Sequence, residues 1–104
     1  MEIIEDRYNW KGALNPRVQP VKLLVIHHTD SPASTTVQEI HKWHLDNGWI
    51  GIGYHFIITE DGLVHRGRPE EVRGAHTEGY NYHSLGICLT GNFDKELPKT
   101  KQLD

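Results

Sequence analysis

Two apolar runs constrain this chain more than any other feature. One ends on paired histidines, LVIHHT over Leu24–Thr29, and the other opens on a tyrosine and a histidine, GWIGIGYHFII over Gly48–Ile58. Short apolar runs bounded by turn residues read as buried strands. Val21–His28 fits that description, flanked by Pro20 and by the turn signal Asp30-Ser31-Pro32. Gly53–Thr59 is the second strand, with Tyr54, Phe56 and Ile58 expected on one face and His55, Ile57 and Thr59 on the other. The ends of such strands converge, and polar chemistry mounted there can form a site.

The elements between and after these runs define an α/β fold. Thr36 with Glu39 three residues on is a capping box, in which each side chain satisfies a backbone donor of the other. Val37, Ile40, His41, His44 and Leu45 recur at helical spacing, and Asn47-Gly48 is a stop signal, so a helix is predicted over Val37–Asn47. Glu60-Asp61-Gly62 predicts a hairpin turn into a return strand, Leu63–Arg66. Residues 67–84 read as loop, Leu85–Thr90 as another apolar strand, and Thr100–Asp104 as the first turn of a helix. Residues 1–20, polar and proline-bearing, are expected to form an arm, with the domain proper over 21–104. The order predicts a mixed central sheet with packed helices.

Composition narrows the class. The 104 residues suit one domain, and a net charge of −3 argues against a phosphate-tracking surface, hence against nucleic acid as the main partner. No apolar run approaches the roughly 20 residues that span a bilayer. The N-terminus MEIIEDRYNW has neither a basic nor an apolar leader segment, so the expected location as synthesised is cytoplasmic. The one cysteine, Cys88, cannot form an intrachain disulfide and reads as a small core residue inside LGICLTG.

Eight histidines are scattered over several elements. His27 follows an apolar strand and precedes a turn, a position suited to a metal ligand, although a histidine there is more often structural. His28 should point to the opposite side, because strand side chains alternate. His41 and His44 share a helix face, which either holds a metal or meets the sheet. Tyr54 follows Gly51-Ile52-Gly53 and is either a hydrogen-bond donor to a developing oxyanion or an amphipathic core residue. The glycine-punctuated loop Gly74–Asn81 either binds a polar ligand or is a solvated connection. There is no Gly-x-Ser-x-Gly elbow, P-loop or His-Glu-x-x-His.

The segments VIHHT, WHLDNGWIGIGYHFIITEDG, GRPEEVRGAHTEGYN and SLGICLTGNFD, in that order over residues 21–94, resemble the zinc-dependent type-2 N-acetylmuramoyl-L-alanine amidases, a superfamily that includes phage endolysins and peptidoglycan recognition proteins. The resemblance implies an α/β fold and hydrolysis of the amide between N-acetylmuramic acid and L-alanine in peptidoglycan. It implies that His27 is the first zinc ligand, that Tyr54 is catalytic, and that His28, His44, His76 and Asn81 line a muropeptide groove. The family's two further zinc ligands, its assisting lysine and its second core helix have no match before Asp104. The resemblance therefore implies an incomplete zinc site in this chain, with weak zinc retention. Alternatives are a non-catalytic muropeptide-binding module, or a fold completed by a second copy or by a separate C-terminal piece. An endolysin would act on the cell wall after release.

Overall fold

A mixed β-sheet carries one long helix on one face in this computed structural model, which describes residues 2–103. The elements are β1 (Ile3–Glu5), β2 (Leu23–His28), α1 (Val37–Asp46), β3 (Phe56–Ile58), β4 (Val64–Arg66), β5 (Ser84–Leu89) and α2 (Thr100–Leu103). The sheet order is β1-β4-β3-β5-β2. The β3–β4 hairpin is antiparallel and the other pairs are parallel. This is the α/β architecture expected from the sequence. The endpoints Met1 and Asp104 of the expected arm and last helix lie outside the described residues.

Helix α1 begins where its capping box predicts. The Thr36 hydroxyl accepts from the Glu39 N–H at 3.2 Å, and the Glu39 carboxylate accepts from the Thr36 N–H at 3.0 Å. The helix lays Val37, Ile40 and His41 against the sheet. Val37 and Ile40 join Ile52, Ile57 and Cys88 in the buried core, with Tyr8, Trp10 and Tyr54 packed around it. The hairpin turn is also as predicted. Gly62 takes a positive φ of 83°, and the Asp61 carboxylate accepts from the Thr59 hydroxyl and the Leu63 N–H.

Three details differ from the sequence reading. The run at 21–28 is not a buried strand: β2 lies at the edge of the sheet, with Leu24 63% and Ile26 73% exposed. An apolar run carries no information about whether both of its faces are covered. Second, residues 3–5 add an edge strand on β4, and Tyr8 follows by donating its hydroxyl to the Arg66 carbonyl at 2.7 Å. Three residues are too few for periodicity to reveal. Third, β3 begins at Phe56, so Tyr54 precedes the strand and does not share the face of Phe56. It packs instead on the core beside Ile57 and Cys88.

The short helix α2 closes one end of the sheet through a buried amide. The Gln102 side chain donates to the carbonyls of Ile58 and Thr90 at 3.1 and 3.0 Å, and accepts from the Lys99 N–H. Among the described residues, no helix is long and apolar enough to cross a membrane. Removing the cap of α1 tests how much that helix depends on its first turn. Thr36→Ala should lower unfolding free energy by about 1 kcal/mol, measured by urea titration.

Candidate active site

The parallel register of β2, β5 and β3 sets His27, Cys88 and Ile57 on adjacent rungs, so all three face α1. The residues of β5 on that face are Ser84, Gly86 and Cys88, all small. The ring of His76 occupies the space they leave: a Cβ on Gly86 would stand 2.5 Å from it. His76 Nδ1 lies 2.9 Å from His27 Nε2. The Tyr54 ring is 5.3 Å from that of His27 and 5.5 Å from that of His44. Four of the residues singled out in the sequence thus share one neighbourhood.

Hydrogen bonds fix the protons in this cluster. Ser84 has a single hydroxyl proton, which it donates to the Tyr80 carbonyl at 2.7 Å. Its contact with His76 Nε2 at 3.2 Å is therefore one that it accepts. His76 carries its proton on Nε2 and turns an Nδ1 lone pair toward His27 and toward the Thr77 hydroxyl, 3.2 Å away. Burial, aided by the charges on His27, His55 and Arg68, pushes the His76 pKa down to about 4. Burial and the neighbouring His28 lower that of His27. Both rings are neutral at pH 7. Tyr54 is held above its ordinary pKa by burial, then by Cys88, so its phenol keeps its proton. Burial pushes the Cys88 thiol up to about 12, which excludes a thiolate nucleophile.

Asn81 shapes the loop that delivers His76. Its side-chain oxygen accepts from the backbone N–H groups of His76 and Thr77, each at 2.9 Å. The loop then docks on Gly53, whose carbonyl accepts from the Ala75 N–H at 3.0 Å. That approach requires glycine, since a Cβ at position 53 would fall 2.1 Å from the Ala75 oxygen.

The helix pair His41 and His44 does not share a metal. His41 Nδ1 accepts from the Ile52 N–H at 3.0 Å and its Nε2 faces the Asn9 carbonyl, while His44 Nδ1 accepts from the Gly53 N–H at 2.9 Å. His28 stands apart on the other side of β2, where its Nδ1 accepts from the Phe93 N–H at 3.1 Å. With Asp30 and Asp94 it brings ligand atoms within 4.8 Å of one another. His28 Nδ1 is already engaged there, so Nε2 bears the proton and this group is poorly prepared as a metal site. The His27–His76 pair suits zinc in donor type but supplies two nitrogens where a catalytic zinc takes three protein ligands.

A groove of about 670 Å³ opens from His76, lined among others by Trp49, Arg68, Arg73, Asn81 and Tyr82. Arg68 is only 5% exposed and donates to the carbonyls of Ile52 and Arg73. Arg73 stacks on the Tyr82 ring at 4.6 Å.

The N-acetylmuramoyl-L-alanine amidase family profile matches residues 17–104 of this chain. The chain belongs to the type-2 amidase family. It is 41% identical over 85 residues to an endolysin of Enterobacteria phage T3, a match covering 81% of this chain and 56% of that protein. The solved N-acetylmuramoyl-L-alanine amidase LysC from Clostridium intestinale superposes with a TM-score of 0.90 at 38% identity, over 99% of this chain and 68% of LysC. The ectodomain complex of peptidoglycan recognition proteins LCa and LCx with tracheal cytotoxin superposes at 0.89 with 33% identity, covering 99% and 69%. The chain thus spans little more than half the length of the phage relative and about two thirds of the solved structures.

Several participants escaped the sequence reading: Ser84, which fixes the His76 ring proton, and Arg68 and Arg73 in the groove. One signal was available. Ser84, Gly86 and Cys88 alternate as small residues along one strand face, which implies that something bulky fills the space above them.

The state of His44 gives a pH dependence. Burial, then Arg68 and His41, pushes its pKa down to about 4, against roughly 6.5 unfolded. A depressed histidine contributes stability that is complete above the unfolded value and is lost as pH falls toward the folded one. The melting temperature should therefore fall by several degrees from pH 7 to pH 4.5. His44→Gln keeps an acceptor for the Gly53 N–H but cannot titrate, and it should melt with a shallower pH slope.

Proposed function

We propose that this chain forms the larger part of a peptidoglycan amidase domain that cleaves the N-acetylmuramoyl-L-alanine bond. The observation that carries the reading is the meeting of His27, His76 and Tyr54, with His76 also lining a groove, in a member of the amidase family. In this reading His27 is a zinc donor. Zinc, when bound, polarises the scissile carbonyl and activates water.

The chain's own residues do the rest. The groove takes the muropeptide, with His44, His76 and Asn81 along or beneath its wall. Tyr54, protonated at neutral pH, serves as a donor to negative charge developing on the carbonyl oxygen. Asn81 acts through the loop, holding His76 and Thr77 in place by their backbone. His28, assigned to the groove by resemblance, faces away from this cluster and is left without a part in it.

A second reading, muropeptide binding without hydrolysis, has one observation in its favour. The described residues build a groove but bring only two imidazole donors together. Calorimetric titration with a muropeptide and an assay of amide cleavage separate the two. Under the amidase reading Tyr54→Phe lowers kcat by about 100-fold or more and changes affinity little, whereas Asn81→Ala weakens binding severalfold. Because the family's further zinc ligands have no match in these residues, the cleavage assay decides in a domain that carries a full ligand set: one that binds muropeptide and does not cleave it with zinc supplied is a binding module. A chain that does neither overturns both readings.

A further inference from the structure

We propose that the N-terminal arm is part of the groove: residues 11–15 strap its two walls together and bring Asn15 into its lining as a contact for the peptide portion of a muropeptide. The inference rests on the reading of the groove as a muropeptide site and adds an element to it. The family profile begins only at residue 17, after the strap.

Three observations carry it. The first is that the arm is tied to both walls. On one side the Lys11 N–H donates to the Ile50 carbonyl at 2.8 Å, and the Asn9 carbonyl faces His41 Nε2 at 3.2 Å. The Trp10 ring meets that of His41 edge-on at 5.4 Å, and a Cβ on Gly51 would stand 2.5 Å from it. On the other side the Arg73 N–H donates to the Asn15 carbonyl and the Arg17 N–H to the Glu71 carbonyl, both at 2.8 Å. Pro16 and Val72 form a bridge between those two bonds. Ile50 and Arg73, bonded at the two ends of the strap, both line the groove.

The second observation is reach. Lys11 and Asn15 are four Cα steps apart. An extended chain gains at most about 3.6 Å per residue, so the strap limits its attachment points to a separation of roughly 14 Å. The third is where the tie lies. The walls also meet directly, but through buried groups: Arg68, 5% exposed, donates to the carbonyls of Ile52 and Arg73, and the Ala75 N–H donates to that of Gly53. Lys11, Gly12, Ala13 and Asn15 are exposed, so the strap is the tie on the solvent side. Asn15 lines the groove there, and among the described residues its side-chain amide has no hydrogen-bond partner. An amide offers both donors and an acceptor, which a peptide backbone complements.

The test pairs calorimetric titration of a muropeptide with pulsed electron resonance between spin labels on Asp46→Cys and Glu78→Cys. Asp46 ends α1 just before Gly48 and Trp49, and Glu78 lines the other wall. Cys88 is fully buried and stays unlabelled. Inserting two glycines between Gly12 and Ala13 lengthens the strap and keeps every anchor. Loop-closure entropy grows slowly with length, so the melting temperature should change little. The distance between labels should broaden toward longer values, and muropeptide affinity should fall severalfold. Asn15→Ala keeps the backbone carbonyl and should weaken binding severalfold with the distance unchanged. An insertion that leaves the distance unchanged overturns the strap, and a broadened distance with full affinity overturns its part in binding. If the insertion does not fold, Asn15→Ala decides, since unchanged affinity there overturns the contact. Should the unaltered chain bind no muropeptide, the reading of the groove fails, while the distance still judges the strap.

Discussion

The segment Ile52–His55 is fastened to helix and sheet by imidazoles, and the site depends on that fastening. His41 and His44 reach from α1 to accept the N–H groups of Ile52 and Gly53, and His55 accepts that of Gly86 in β5 while facing the Val72 carbonyl. These bonds stand where the sheet ladder has not yet begun, since β3 starts only at Phe56. They hold Gly53 against the loop that brings in His76, and they fix the backbone from which Tyr54 projects. A buried N–H without an acceptor would cost free energy comparable to a lost hydrogen bond, so these rings are as structural as any aliphatic residue of the core.

The same bonds explain the electrostatics. An imidazole that accepts a backbone N–H must be neutral, and burial favours the neutral form as well. His44 and His55 obey both conditions, while burial and neighbouring positive charge act together on His76. Cation character in the groove comes from Arg68 and Arg73 instead. The division leaves lone pairs at the strand end and positive charge along the wall.

The fold was largely legible in the sequence because its signals are local. The Thr36–Glu39 box, the Asp61-Gly62 turn and the apolar run of β5 each specify their own element. What stayed hidden depends on neighbours far along the chain. Leu24 and Ile26 look like core residues until β2 is seen at the sheet edge, and Ile3–Glu5 is a strand only because β4 lies beside it. The histidines show the limit most sharply. His27, His28, His41, His44, His55 and His76 are alike as letters, yet four of them accept backbone N–H groups and two meet each other. Which nitrogen is free is decided by partners that sequence spacing does not reveal. The family motifs placed His27 and Tyr54 near one another, but they carried no hint of the Ser84–His76 proton arrangement.

The position of β2 has a consequence for how rigid the site can be. His27 sits near the end of a strand bonded on one side only, to β5, with Leu24 and Ile26 bare on the face away from α1. The thermal motion of His27 is therefore governed by a single ladder, and breathing of that ladder would alter the gap to His76 directly. Anything that packed on Leu24 and Ile26 would stiffen His27 without touching it, so the precision of the site is partly borrowed from the back of the sheet.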